Sequence, residues 1–188
     1  MVYLLVGLVV FLGAHFFTTL RGPRAALIGR LGEGAYKGLY SLVSAVGLVL
    51  IVWGFGHYRS TGWVQVWTPP LALHHLAMPL VWLAFIALAA TYSPLGKIKA
   101  TLRHPMLVAV KTWALAHLLA NGDLGGMLLF GTFLAWAVYD RIAVKRRGDT
   151  GAPPSGFTSG DMIAIAVGTI AFLAMFWLHP WLIGVPIL

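Results

Sequence analysis

Histidine is the side chain with most chemistry to offer in this sequence. The stretch Arg103–Asp123, RHPMLVAVKTWALAHLLANGD, sets two histidines among apolar residues together with a lysine and an asparagine. Segments long enough to cross a bilayer rarely carry so many polar side chains unless the interior of a bundle satisfies them. His117 lies four residues after Trp113 and four before Asn121, so the three share one helical face, with small Ala114 and Ala120 beside it. His104 and Lys111, seven apart, share a second face nearer the start. The segment reads as an apolar scaffold with two polar stripes, against which something polar, charged or metallic sits.

Of the seven histidines, His57 falls in a polar connection and His179 at the end of an apolar stretch, where a structural role suffices. His15, one of the pair His74 and His75, His104 and His117 lie within or at the edges of apolar stretches. A neutral imidazole is tolerated there when its N–H reaches a carbonyl on a neighbouring helix. Several in one small bundle point instead to a metal or cofactor, for which histidine is the commonest ligand. The only carboxylates are Glu33, Asp123, Asp140, Asp149 and Asp161, all at or near connections, and there is no cysteine. Zinc and di-iron sites in bundles recruit such groups. A haem needs only one or two axial imidazoles and an apolar pocket, with basic residues for its propionates. Pairing His15 with His117 requires a haem tilted toward the membrane plane, whereas His75 with His117 suits an upright one; depth alone leaves both open. Lys111 either snorkels toward Asp140 or meets a cofactor carboxylate or an anionic substrate.

The elements that must position these groups follow from composition. Of 188 residues, 60% are hydrophobic and 10% charged, with a mean hydropathy of +0.86. Soluble domains carry about a quarter charged residues. The chain is therefore expected to be an all-α polytopic membrane protein, residues 1–188 forming a single bundle with no separate soluble domain. Six crossings read out: Val2–Leu20, Lys37–Phe55, Leu71–Tyr92, Pro105–Gly122, Leu124–Val144 and Asp161–Leu178. The start lacks the basic region and cleavage site of a signal peptide, so the first stretch is expected to be retained. The formal charge of +8 is topological rather than a nucleic-acid signal. Eleven of the Lys and Arg residues fall in the first, third and fifth connections or their flanks, and only Arg59 on the other side. Positive residues collect in cytoplasmic loops, which puts both termini on the periplasmic side.

Local signals fill in the connections. Ala25–Tyr36 suits a short interfacial helix. Ser41, Ser44 and Gly47 mark a packing face on the second span. Tyr58, Trp63 and Trp67 suit the headgroup level, and Pro79 is a candidate kink. Asn121-Gly122-Asp123 predicts a tight turn, with Gly122 as a left-handed cap and Asp123 capping the next helix, and hence an antiparallel hairpin. Gly96–Arg103 reads as a basic connector and Gly148–Gly160 as a loop. There is no inverted repeat of the transporter kind.

Four segments together carry a family resemblance: LGEGAYKGLYSLVS (Leu31–Ser44), RHPMLVAVKTWALAHLLANGD, LFGTFLAWAVYDR (Leu129–Arg141) and LHPWLIGVP (Leu178–Pro186). Across essentially the whole chain the sequence resembles NnrU, a family of bacterial inner-membrane proteins associated with nitrite and nitric oxide reduction (denitrification). That domain is in turn similar to zeta-carotene isomerase, a membrane enzyme using haem b. The resemblance implies haem b, with the axial iron ligands at His15 in AHFFTTLR and His117 in WALAH. Other isomerase histidines resemble His74 or His75, His104 and His179. Where the isomerase has a cysteine, this chain has Ala114, so a thiolate cannot exchange onto the iron and haem binding carries over better than isomerisation. A more distant resemblance is to isoprenylcysteine-type methyltransferases using S-adenosylmethionine, whose acidic pair is missing from DRIAVKRR (Asp140–Arg147).

Three readings follow. The first is a haem b protein with redox, small-molecule or isomerase-like chemistry on a lipophilic substrate or nitric oxide, its cofactor contacts drawn from His15, His75, His104, Lys111, Trp113, His117 and Asn121. The second is a non-enzymatic partner that assembles or regulates a respiratory reductase, and the third a methyltransferase-like enzyme. Whether the chain is an enzyme at all stays open at this level.

Overall fold

The structure, a computed structural model, describes residues 1–185 and 187; Pro186, which ends LHPWLIGVP, lies outside them. The described residues form eight helices: α1 (Val2–Thr19), α2 (Arg21–Leu31), α3 (Glu33–Thr61), α4 (Leu71–Tyr92), α5 (Lys97–Leu102), α6 (Pro105–Ala120), α7 (Leu124–Arg146) and α8 (Ser159–Ile183). The chain is a multi-pass membrane protein: α1, α3, α4, α7 and α8 are each long and apolar enough to cross a membrane. Of the six expected crossings, the fourth is the short one. Helix α6 has 16 residues, about 24 Å at the usual rise. Helix α3 runs past both ends of its expected span, because the turns carrying Glu33 and Arg59 stay helical beyond the apolar stretch. The short helix expected over Ala25–Tyr36 sits earlier, as α2, which buries no residue. Helix α4 continues through Pro79.

The packing order is an open ring. Helix α3 packs on α1, α1 on α7, α7 on α6, α6 on α4 and α4 on α8, while no extended packing joins α8 back to α3. Helix α1 is pressed against α3 most closely. A Cβ on Gly54 would strike the Tyr3–Leu4 backbone, one on Gly47 the backbone of Phe11, and one on Gly7 the Leu50–Ile51 backbone. In lipid, where apolar burial drives little association, such close approach is how helices gain dispersion contact. Gly47 thus packs as expected, but Ser41 faces outward. A Cβ on Gly13 of α1, by contrast, would meet nothing within 4 Å. Alanine should therefore act with opposite sign at the two places. Gly13→Ala should be neutral or stabilise by up to about 1 kcal/mol through helix propensity, and Gly54→Ala should cost about 1–3 kcal/mol through overpacking. Thermal unfolding in detergent measures both; a gain at Gly54 would mean the helices are not held by this contact.

The two ends of the ring are tied differently. At the basic end, the buried Asp161 carboxylate accepts from the backbone N–H groups of Lys97 (2.9 Å), Ile98 (2.7 Å) and Thr158 (2.8 Å). It therefore caps α5 as well as its own helix. The Gly148–Gly160 loop is non-helical up to Thr158, as expected, and crosses to the corner before α6, where Ala152 N–H donates to Arg103 O at 3.0 Å. Arg103 turns that corner at φ 61°. At the opposite end the connection after α3 is laced to the α6–α7 turn: Leu124 N–H donates to Val64 O (2.9 Å), and Val66 and Trp67 N–H donate to Gly122 O (2.8 and 3.1 Å).

Two expectations are corrected here. Gly122 is not a left-handed cap, since its φ is not among the positive ones. Glycine is needed because the Trp67 carbonyl lies where a Cβ would be. Tyr58 does not face outward as Trp63 and Trp67 do but is fully buried at the end of α3, its ring lying over Gly125. Trp63 and Trp67 do face outward. Asp123 caps α7 as expected, accepting from Gly126 N–H at 2.8 Å.

Candidate functional site

Inside the open ring lies a cavity of about 390 Å³, walled by α3, α4, α6, α7 and α8. Its lining is apolar apart from three histidines, His74, His117 and His179, and the indole of Trp113. Helix α1 contributes nothing to it, because α1 packs outside the seam between α3 and α7.

His117 is held in a definite tautomer. Its Nδ1 lies 2.8 Å from Trp113 O, one turn back on α6. A carbonyl can only accept, so Nδ1 carries the proton and Nε2 keeps a lone pair. The ring is stacked on Phe130, centroids 4.5 Å apart, and touches Trp113 at 5.1 Å. Trp113 therefore wedges the imidazole in place rather than sharing a ligand with it. Asn121 is also on this face, but its side chain donates to His117 O at 2.8 Å and serves the end of the helix.

His179, on α8, repeats the device in the lining of the same cavity. Its Nδ1–H donates to Val185 O at 2.7 Å, so in the neutral ring Nε2 is again the nitrogen left to accept. From sequence this residue has an ordinary helix-end role. The missed signal is spacing: Phe172, Met175 and Phe176, seven, four and three residues earlier, share its face, and all three line the cavity. Of the adjacent pair on α4, the cavity takes His74, on the stripe with Ala77, Met78 and Val81, while His75 faces outward. Neighbouring helical residues point about 100° apart, so only one can face the interior.

The remaining candidates are elsewhere. His15, on α1, donates from Nδ1 to Phe11 O at 2.7 Å and packs against Phe11, Tyr40 and the edge of Trp136. Its neighbour Trp136 is six residues along α7 from His117's neighbour Phe130, about 9 Å of helix rise. His15 and His117 are thus not brought together, and His15 does not line the cavity. His104 begins α6 at the basic end, its Nε2 3.7 Å from an Asp149 carboxylate oxygen. The R-H-P motif is in this sense a corner: Arg103 reverses the chain, His104 anchors the loop and Pro105 opens the helix. Lys111 is half-buried on α6 away from the cavity, and among the described residues it forms no ion pair, with Asp140 or otherwise.

Among the described residues no three histidine, aspartate or glutamate side chains gather as a site for a bare metal ion. The donor set instead suits a group that brings most of its own ligands and asks the protein for one or two imidazoles in an apolar slot. A haem meets that description, and His117 and His179 both line the slot.

A family profile described as NnrU protein matches residues 3–187. No curated protein matches the chain, and no solved structure matches it.

Proposed function

Because the chain belongs to the NnrU family, we propose that it binds haem b in the cavity within the open ring, where His117 and His179 are the residues that would hold it. The observation that carries this reading is the state of the two imidazoles. Each has its Nδ1–H fixed by a backbone carbonyl, which orients the ring and raises the basicity of the Nε2 lone pair. Phe130 and Trp113 hold the His117 plane, and the apolar walls exclude water. Arg59, whose guanidinium donates to Ile183 O at 3.2 Å beside the lining, is the basic group placed to meet a propionate. The basic end of the bundle faces the cytoplasm, and the membrane is the bacterial inner one.

Bound there, haem supplies redox and ligand-exchange chemistry toward a small or lipophilic molecule, in keeping with the family's association with nitrite and nitric oxide metabolism. The chain's own part is to hold the ring, orient both imidazoles and shut out water. With Ala114 beside the site and no cysteine in the chain, thiolate ligation has no donor. His15, the partner implied by resemblance to the isomerase, is replaced in this reading by His179. Protein purified in detergent from haem-replete cells should show a Soret band with haem near one per chain; a colourless preparation removes the proposal.

A further inference from the structure

Among the described residues, four buried side-chain polar atoms have no hydrogen-bond partner: Tyr36 Oη, Ser44 Oγ, Trp136 Nε1 and Arg147 Nε. The first three belong to one place. Tyr36, Tyr40 and Ser44 follow at intervals of four along α3 and share one face of that helix. The middle one meets the His15 ring of α1 at 5.4 Å between centroids, and His15 meets Trp136 of α7 edge-on at 5.5 Å. His15 Nδ1–H is taken by Phe11 O, so in the neutral ring Nε2 is left to accept. Three helices thus bring donors and acceptors to one stretch of the seam between α1, α3 and α7. The other half of that seam, toward the α6–α7 turn, is filled by Leu4, Leu8, Ile51, Leu129 and Phe130. Phe11 marks the border, stacked on His15 at 4.2 Å and lying 5.6 Å from Phe133. At the basic end the exposed Arg24 holds its guanidinium 5.8 Å from the Tyr36 ring. Tyr36 to Ser44 is eight residues, about 12 Å of helix.

We infer that the seam from Arg24 to His15 is a water-filled inlet, open at the basic surface and closed by Phe11. Leaving a buried polar atom dry and unpaired costs about 1–3 kcal/mol. The groups gathered here suit a small molecule that both donates and accepts. The indole N–H only gives, the imidazole Nε2 only takes, and the hydroxyls of Tyr36, Tyr40 and Ser44 do either. Water meets that demand, whereas an apolar ligand would leave every one of these groups unpaired. A file of water also carries protons, and polar groups at membrane depth mark such paths. His15 is thereby kept in proton contact with the basic surface. Phe133 lines the cavity, so it and Phe11 stand between the inlet and the apolar slot at His117. The polar groups of the inlet are all outside the cavity lining, and the inference stands with or without haem.

X-ray radiolysis of the full chain in nanodiscs, read by mass spectrometry, tests the inlet. Hydroxyl radicals born from bound water oxidise the side chains that touch it. Tyr58 is the internal standard, a wholly buried tyrosine whose hydroxyl is engaged on both sides. Tyr36, nearly as buried, and Tyr40 should be oxidised many times faster than Tyr58. Ser44→Val keeps the side chain's shape and removes one partner of the water. It should slow oxidation of Tyr40 and Trp136 by up to about tenfold, the effect of one hydrogen bond on occupancy. Ser41→Val, on the outward face of the same helix, should change neither. Tyr36 and Tyr40 reacting as slowly as Tyr58 overturn the inlet, as do equal effects of the two valine variants, or none from either. The comparison of tyrosines uses the unaltered protein, so it decides even where Ser44→Val fails to fold.

Discussion

Replacing His117 with alanine is expected to leave the purified protein without a Soret band, while His15→Ala keeps one. The contrast follows from placement. His117 lines the cavity with its ring locked by the Trp113 carbonyl and the Phe130 face. His15, on α1, does not line the cavity, and its ring is packed on Phe11, Tyr40 and Trp136. Losing a partner that merely orients a metal ligand costs about 10–100-fold in affinity, and losing the ligand itself should cost at least that. Haem content per chain should then fall below about a tenth after detergent washing. His179→Ala should act differently, with partial retention of haem and an altered Soret band. Haem that survives His117→Ala but leaves with His15→Ala would show that α1 must turn inward to build the site, and the assignment to this cavity would be wrong.

Tyr58→Ala should be among the most destabilising single changes outside the cavity, at about 3–5 kcal/mol, the range for emptying a buried aromatic site. Tyr58 is wholly buried between α3 and the α6–α7 turn. Its hydroxyl accepts from Val64 N–H at 3.0 Å and donates to Val64 O at 3.3 Å. Val64 O also receives Leu124 N–H, so one side chain holds the outer connection and the start of α7 together. Tyr58→Phe keeps the ring over Gly125 and leaves only the Val64 N–H unpaired, a loss of about 1–3 kcal/mol. Denaturation followed by tryptophan fluorescence ranks the three proteins. Equal losses for Phe and Ala would show that the hydroxyl, and not the packing, carries the effect.

Much of the architecture was legible because apolar length and turn chemistry are local. The ends of α4 and the start of α1 coincide with the edges of their hydrophobic runs, and Asp123 caps α7 because its short carboxylate can reach the next turn. Tyr58 shows the limit of that reading. An aromatic next to an arginine after an apolar run looks like an interfacial anchor, and only the arrival of the Gly122–Gly125 turn from elsewhere in the chain buries it. The site was legible in half. Spacing on one face grouped His117 with Trp113, yet could not say that α1 would lie outside the ring, which keeps His15 away from the cavity. Depth along a helix can be counted from sequence, but which neighbour it meets cannot. For α4 and α8 the stripes through His74 and His179 were written in the spacing, hidden because nearly every other position there is apolar too.

Asp161 also bears on the order in which the protein can be made. The N–H groups it receives on α5 belong to residues 64 and 63 positions earlier in the chain. When α5 leaves the ribosome, the acceptor that will finish its first turn has yet to be translated. The middle of the molecule must wait, with its helix start open to water, until the last crossing has inserted. A product truncated ahead of Thr158 should thus lose more than a sixth stave: the corner between α4 and α6 would never set, and quality-control proteases would meet an unfinished joint there.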